Sequence, residues 1–347
     1  MDNWKIRRVL LHEKVSIKDV AKEAGVSLTT VSQVLNDKRD RFTTDTIEKV
    51  LAAKQKLGYL PNKNAQQLRG SKTKLIGVLL PNLVNPFFST MMQSMDANKE
   101  ADVDLFFLTA PEEDIEAGIM HLVERGMDGL IIAQMIKNPE RLNNYLTTHR
   151  IPYVVLDQSD DHGFTDIVRT HETGGGELAA RHLIELGHKQ LTIVQPAHLT
   201  SNMNLRMEGF KHYCQSHNVA TPKVIESTLS KAGGYAAVDD IIASHSTAVF
   251  ATNDEMAIGI IRGLADKGWQ VPQDVSIVGF DDIDIAQYMT PALTTVAQPI
   301  ETIGEVALQL IMDKLDSTLT HRDQQSIVLP SELIVRATTA RANLDNS

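Results

Sequence analysis

Cysteine is almost absent from this 347-residue sequence, which contains only Cys214. A single cysteine excludes a disulfide within the chain and fits a reducing compartment. Long apolar runs are also missing. The run VLL near the N-terminus is too short for the core of a signal peptide, and no later stretch reaches the ~20 apolar residues of a membrane-spanning helix. The sequence therefore predicts a soluble protein of the cytoplasm.

The sequence also lacks the motifs of common enzymes and metal sites. It has no HExxH motif and no cluster of cysteine and histidine, so we expect no metal ion and no other cofactor. A P-loop and a GxSxG motif are absent too, which leaves a sugar-modifying enzyme only as a distant alternative. The Gly-rich segment at 174–188 lacks nucleotide-binding spacings, and close packing of a crossover helix explains it better.

Charge is distributed unevenly along the chain. The whole sequence carries −10, yet residues 1–70 hold 14 Lys and Arg against 8 Asp and Glu, a local charge of +6. The remaining residues therefore carry −16. A basic N-terminal part on an acidic body indicates that only the former meets a polyanion such as DNA.

Residues 16–36, SIKDVAKEAGVSLTTVSQVLN, predict two short helices separated by a glycine turn. Ser16 and Asp19 form a capping pattern, and Gly25 stands where the turn needs positive φ. Such a pair is a helix-turn-helix, whose second helix can enter the major groove of DNA. A third helix is expected over 44–57. The predicted DNA contacts of this part are Ser16, Ser27, Leu28, Thr29, Thr30, Ser32, Gln33 and Asn36.

After about residue 73, short apolar runs alternate with helical patterns. The runs that predict buried strands are KLIGVLLP, DLFFLTA, GLIIAQM, PYVVLDQ, QLTIVQP, AVFATND and VSIVGFDD. Near-continuous apolar strands between amphipathic helices indicate parallel α/β sheets. Seven such units over roughly 260 residues exceed one comfortable sheet, so we predict two α/β lobes.

Polar and aromatic residues follow several of these strands, at the ends where α/β sheets bind their ligands. Carboxylates and amides can bond the hydroxyls of a sugar, and aromatic rings can stack on its C–H faces. We therefore expect a sugar-binding cleft between the lobes. The residues at the strand ends are Asn85, Phe87, Phe88, Asp157, Asn253, Asp254, Phe280 and Asp281.

Several segments together resemble the lactose-repressor family of bacterial transcription regulators. They are IKDVAKEAGVSLTTVSQVLN, LGYLPNKNAQQLRG, LIGVLLPNLVNPFF, HLIELGHKQLTIV, NDEMAIG, VPQDVSIVGFDDI and PALTTVAQPIETIGEVA, in family order. The resemblance implies an all-α helix-turn-helix head, a hinge helix and a body similar to periplasmic binding proteins. The implied domains are 1–60, 61–72 and 73–340, the last with lobes at about 73–170 plus 299–328 and 171–298 plus 329–340.

Within this family the chain most resembles ribose-operon repressors. By position, Phe87 and Phe88 would sandwich the sugar ring. One departure matters, because ribose-binding relatives have Asp-Arg where this chain has Asp157 and Gln158. Ribose is the first expectation, and another pentose or a phosphorylated sugar stays open. The predicted effector contacts are Asn85, Phe87, Phe88, Asp157, Arg206, Asn253, Phe280, Asp281 and Gln298.

Each of these residues also has a purely structural alternative. Asp157 could only cap a helix, Arg206 could be a surface cation, and the two phenylalanines could belong to the core. Their joint position at strand ends favours a ligand site.

The resemblance implies an allosteric homodimeric repressor that binds a pseudo-palindromic operator. It adds Asn64 and Leu68 of the hinge to the DNA contacts, with Leu68 wedged into a base step through the minor groove. Sugar in the cleft would rotate the lobes and weaken operator binding, which is the commoner arrangement in the family, and the opposite effect, that of a corepressor, stays open. A transport protein without a DNA-binding head would need a signal peptide, which the sequence lacks.

Overall fold

The structure, a computed structural model, describes residues 15–35, 39–59, 73–158, 164, 166–316 and 325–342. The chain divides into two compact units, Met1–Thr73 and Lys74–Ser347. Three predicted DNA contacts, Asn36, Asn64 and Leu68, lie outside the described residues, as does the predicted hinge. Within the described part, no helix is both long and apolar enough to cross a membrane.

The N-terminal unit is a small helical domain. Its helices are α1 (Ile17–Ala24), α2 (Leu28–Leu35) and α3 (Thr44–Leu57), the last with the predicted bounds. Gly25 adopts φ 65° between α1 and α2, so the turn uses the conformation that glycine tolerates best. The predicted helix-turn-helix is confirmed. Its core consists of Val20, Ala21, Val31, Val34, Val50, Ala53 and Tyr59.

The first lobe of the body is built on a parallel sheet of six strands among the described residues. The strands are β1 (Lys74–Leu80), β2 (Val103–Thr109), β3 (Gly129–Ile132), β4 (Tyr153–Leu156), β5 (Asp166–Thr170) and β11 (Gln325–Leu329), in the order β11-β5-β4-β3-β1-β2. Its helices are α4 (Pro86–Asn98), α5 (Ile115–Glu124), α6 (Pro139–His149) and α12 (Ile300–Leu315). Helices α4 and α12 pack on one face of the sheet, and α5 and α6 on the other.

The second lobe repeats this architecture. In the described part of the chain its strands are β6 (Leu191–Pro196), β7 (Lys223–Ser227), β8 (Ala248–Ala251), β9 (Ser276–Asp281), β10 (Thr294–Ala297) and β12 (Glu332–Ile334), in the order β12-β10-β9-β8-β6-β7. Its helices are α7 (Glu172–Glu185), α8 (Ser201–Ser216), α9 (Lys231–Ala236), α10 (Val238–Ala243) and α11 (Asp254–Asp266). Only β12 pairs antiparallel, at the edge beside β10.

Three segments join the lobes: β5 leads into α7, β10 leads into α12, and β11 leads into β12. The chain crosses between the lobes near the carboxyl ends of β5 and β10. The predicted two-lobe α/β body is confirmed. Because the strands of both sheets are parallel apart from β12, the polar residues that follow them gather at the carboxyl edges that face the cleft.

Glycines allow α7 and α8 to pack closely together in the second lobe. A Cβ atom added to Gly176 would lie 1.9 Å from the carbonyl oxygen of Arg206. One added to Gly209 would lie 2.0 Å from the carbonyl oxygen of Thr173. The Gly-rich segment therefore packs helix on helix, which is the interpretation favoured by its spacing.

Candidate DNA-binding and effector-binding sites

The first helix of the N-terminal unit begins with a capping box. The Asp19 carboxylate accepts hydrogen bonds from the Ser16 backbone N–H at 2.8 Å and from the Ser16 hydroxyl at 2.6 Å. These bonds favour the ionised acid and hold the pKa of Asp19 below its usual value. The Ser16 hydroxyl thus serves the start of α1, as the sequence predicted.

The start of α2 presents small polar and apolar side chains to solvent. Ser27 caps the helix, since its hydroxyl accepts the Thr30 N–H at 3.0 Å. Ser27, Leu28 and Thr29 are exposed, whereas Thr30 and the side chains at 32 and 33 are partly buried. Recognition helices contact base edges with their N-terminal residues. Leu28 and Thr29 are thus exposed at the start of α2, with Ser32 and Gln33 one turn further along, and their contacts with DNA stay a prediction.

A cavity of about 790 Å³ lies between the lobes of the body, at the carboxyl ends of both sheets. Every predicted effector contact except Phe280 lines it. The first lobe contributes side chains that follow β1 and β4, and the second lobe contributes those that follow β8 and β9. The predicted residues in the wall are Asn85, Phe87, Phe88, Asp157, Arg206, Asn253, Asp281 and Gln298.

Arg206 is a buried cation at the back of this cavity, only 2% exposed. Its Nε donates to Glu172 Oε2 at 2.9 Å, and its Nη1 donates to the Thr252 carbonyl. The guanidinium carbon lies 3.4 Å from the centre of the Phe280 ring, a cation–π contact. The structure therefore rejects the interpretation of Arg206 as a surface cation.

Phe280 does not contact the cavity, contrary to the prediction. It is completely buried and supports the Arg206 guanidinium from behind. The physical reason is the alternation of a strand: Phe280 and Asp281 are neighbours on β9, and their side chains point to opposite faces. Only Asp281 of this pair lines the cavity.

The two phenylalanines of α4 do not form a sandwich. Their ring centres are 5.2 Å apart and their planes meet at 81°, an edge-to-face pair that leaves no space for a sugar ring between them. Phe87 is buried in the core of the first lobe, and Phe88 packs partly against it. Both rings still line the cavity, so a ligand can stack against the pair from outside instead of entering between the two rings.

Two carboxyl groups of the cavity wall are held in an environment that disfavours their charge. Asp157 follows β4 with φ 54°, and its Oδ1 has no hydrogen-bond partner in the described structure. Asp281 ends β9 with φ 115° and accepts a bond from Gln298 Nε2 at 2.7 Å. Burial raises the pKa of each group to about 7, against the opposing attraction of Arg206.

Two of the asparagines that line the cavity, Asn85 and Asn253, are helix caps as well. Asn85 Oδ1 accepts the Phe87 N–H at 3.0 Å at the start of α4. Asn253 Oδ1 accepts the Met256 N–H at 2.9 Å at the start of α11. Capping fixes each amide with its oxygen toward the helix, which aims the NH₂ donors elsewhere.

Several residues of the site were not predicted. Glu172, the partner of Arg206, is buried and precedes it by 34 residues, a separation without any local pattern. Gln158, where the ribose-binding relatives have Arg, is also buried and donates to the Gln134 carbonyl at 3.0 Å. Lys231 forms an ion pair with Glu255, and both line the cavity.

Comparisons with known proteins agree with this architecture. Residues 16–62 match the family model described as bacterial regulatory proteins of the lacI family, and residues 180–339 match that of a periplasmic binding protein-like domain. The chain is 35% identical over 336 residues to a repressor named PurR from Erwinia tasmaniensis, covering 94% of this chain and 97% of that one. This chain belongs to the LacI family.

Solved structures support the same assignment. A LacI-family regulator from Enterococcus faecium with bound ribose is 36% identical, with TM-score 0.73, covering 78% of this chain and all of that one. The lac repressor dimer bound to operator and the anti-inducer ONPF is 28% identical, with TM-score 0.78, covering 94% and 100%. The LacI-family chain is thus a DNA-binding transcriptional repressor with a site for a small effector, and it is not an enzyme.

Proposed function

We propose that this repressor controls a sugar-utilisation operon and that its effector is a neutral sugar, with ribose or a related pentose as the first choice. The observation that supports this most is the convergence of Asp157, Arg206 and Asp281 at one cavity wall. Carboxylates and a guanidinium pair with the vicinal hydroxyls of a sugar through charge-assisted hydrogen bonds. The ribose-bound relative from Enterococcus faecium adds support from a homologous fold.

The charges in the cavity favour a neutral ligand over a phosphorylated one. Both cations of the wall are already neutralised, Arg206 by Glu172 and Lys231 by Glu255. Asp157 and Asp281 add acidic groups to the same wall. A phosphate would therefore have to displace an existing ion pair and approach further carboxyl groups. We place a sugar phosphate behind a free pentose for this reason.

We further propose that the repressor acts as a homodimer on a pseudo-palindromic operator. Two copies of α2 would occupy two half-sites of the major groove, and the hinge residues Asn64 and Leu68 would contact the minor groove between them. Sugar binding would rotate one lobe relative to the other and lower the affinity of the repressor for the operator.

A thermal-shift panel tests the effector class. D-ribose, other pentoses, hexoses, ribose 5-phosphate and nucleobases would each be added to the purified protein. A ligand that binds only the folded state raises the melting temperature by mass action. We expect a free pentose to produce the largest shift. A larger shift with ribose 5-phosphate or with a nucleobase would contradict the proposed effector class while leaving the repressor assignment untouched.

A further inference from the structure

Glu172 lies behind the cavity wall, where it connects groups that the ligand is proposed to contact. It is 3% exposed and does not line the cavity. One carboxylate oxygen accepts from Arg206 Nε at 2.9 Å, and the other accepts from the Thr170 hydroxyl at 2.8 Å. Glu172 thus contacts one residue of the cavity wall directly.

The contacts continue from Thr170 to the opposite side of the site. The Thr170 hydroxyl also lies 3.0 Å from Gln298 Oε1, and Gln298 Nε2 donates to Asp281 Oδ1 at 2.7 Å. All of these residues are at least nine-tenths buried. A single buried chain therefore joins Arg206 to Asp281 through Glu172.

This chain of contacts lies where the polypeptide passes between the lobes. Thr170 is the last residue of β5 in the first lobe, and Glu172 is the first residue of α7 in the second. Gln298 occupies the equivalent place between β10 and α12. A change in the orientation of one lobe relative to the other must act on these two connections and on the third, from β11 to β12, because the chain passes between the lobes at these points.

We propose that Glu172 is a positioning residue that sets both the affinity for the effector and its dependence on pH, by holding Arg206 and joining the two lobe connections to the cavity wall. This role rests on the proposed function of the cavity as a sugar site. Glu172 acts through Arg206 and Gln298 and does not itself touch the ligand.

The charge of Glu172 accounts for the pH dependence. Its carboxylate raises the pKa of Asp157 and of Asp281 by like-charge repulsion, in addition to burial. Arg206 acts in the opposite direction on both groups. Among the described residues, further charged or titratable groups near this wall are Asp254, Lys231, His198 and Glu255. Of these, Glu255 also raises the pKa of Asp281.

The direction of the pH effect on sugar affinity depends on whether the ionised or the protonated carboxyl groups bind the sugar. A hydroxyl that donates to a carboxylate prefers the ionised acid, so affinity for D-ribose rises as pH passes upward through about 7. For each carboxyl that must be ionised, the affinity falls about tenfold from pH 8 to pH 6. Without the charge of Glu172 the transition moves to lower pH.

The test compares Glu172→Gln with Glu177→Gln, a charge-matched control on the same helix. Carbon-13 NMR titration of the aspartate carboxyls, assigned with Asp157→Asn and Asp281→Asn, needs no ligand. In Glu172→Gln we expect both midpoints to move from near pH 7 to lower pH, and that of Asp157 to move further, because repulsion from Glu172 is second only to burial for that group. Calorimetry with D-ribose should then show a smaller loss of affinity between pH 8 and pH 6 than the unmodified protein shows. Glu177→Gln should behave as the unmodified protein in both measurements.

Unchanged carboxyl midpoints in Glu172→Gln, or an equal change in Glu177→Gln, would overturn the proposal. If D-ribose fails to bind the unmodified protein at every pH, ribose as the effector fails, and the NMR titration still decides the role of Glu172. Should Glu172→Gln not fold, Thr170→Val removes the connecting hydroxyl without changing charge. It should weaken D-ribose binding severalfold at every pH, and an unchanged affinity would also overturn the proposal.

Discussion

Replacing Arg206 with Met is expected to abolish effector binding and to lower the free energy of unfolding by about 3–5 kcal/mol. The substitution leaves the buried Glu172 carboxylate without its cation, whose Nε lies 2.9 Å away in the native protein. It also removes the cation–π contact with Phe280. Urea unfolding would measure the loss of stability, and calorimetry with the ligand from the thermal-shift panel would measure the loss of binding.

Two variants make this result interpretable. Arg262→Met removes an exposed arginine whose pair with Asp266 lies on the surface of α11, so its effect on stability should stay below about 0.5 kcal/mol. The double variant Arg206→Met with Glu172→Gln should recover part of the lost stability, because the position of Glu172 then no longer holds a buried carboxylate without its cation. It should still fail to bind the effector. Native stability in the single Arg206→Met variant would contradict the buried ion pair.

Replacing Gly176 with Ala is expected to lower the free energy of unfolding by about 3 kcal/mol or more, at the upper end of overpacking effects. The added methyl would lie 1.9 Å from the carbonyl oxygen of Arg206 and 2.9 Å from the backbone nitrogen of Phe210. These are backbone atoms of α8, so the helix itself must move away. Arg206 moves with it, and we expect the effector to bind more weakly as well.

Gly118→Ala provides the matched comparison, because it also adds a methyl to a helical glycine. Its nearest neighbours are side-chain carbons of Leu79 and Ala110 at 3.2 and 3.3 Å, which can yield slightly. Alanine also favours the helix, so the net change should stay within about 1 kcal/mol. Equal stability losses in the two variants, measured by urea unfolding, would show that the contact between α7 and α8 is not the critical one.

The buried strands of the body could be predicted because their apolar runs are almost continuous. Strands β1, β3, β4, β6, β8 and β9 fall inside the runs that the sequence shows. The strands β7, β11 and β12 at sheet edges were missed, since their side chains are partly exposed and their patterns are mixed. Two inner strands were missed as well. Strand β10 begins with two threonines, and strand β5 begins with the buried Asp166, whose ion pair with the distant Lys314 no local pattern indicates.

The residues that line the cavity were predicted better than the buried residues that hold them in place. Residues at the ends of β4, β8 and β9 are visible in the sequence, because a strand pattern stops where the polar residue begins. The alternation of β9 could have excluded Phe280, given that Asp281 faces the cavity. The pairing of Arg206 with Glu172 could not be foreseen, because it depends on how α7 and α8 pack.

In the proposed function, a sugar in the cleft controls DNA binding by the helix-turn-helix unit. The most direct measurement is the affinity for a DNA site, selected from a random pool, with and without the panel's best ligand. We predict that saturating ligand weakens DNA binding at least tenfold, or about 1.4 kcal/mol, a typical allosteric coupling energy. In Asp281→Asn, which replaces a proposed sugar contact, the same ligand concentration should have little effect on DNA binding. A DNA affinity that the ligand leaves unchanged or increases in the unmodified protein would contradict the account.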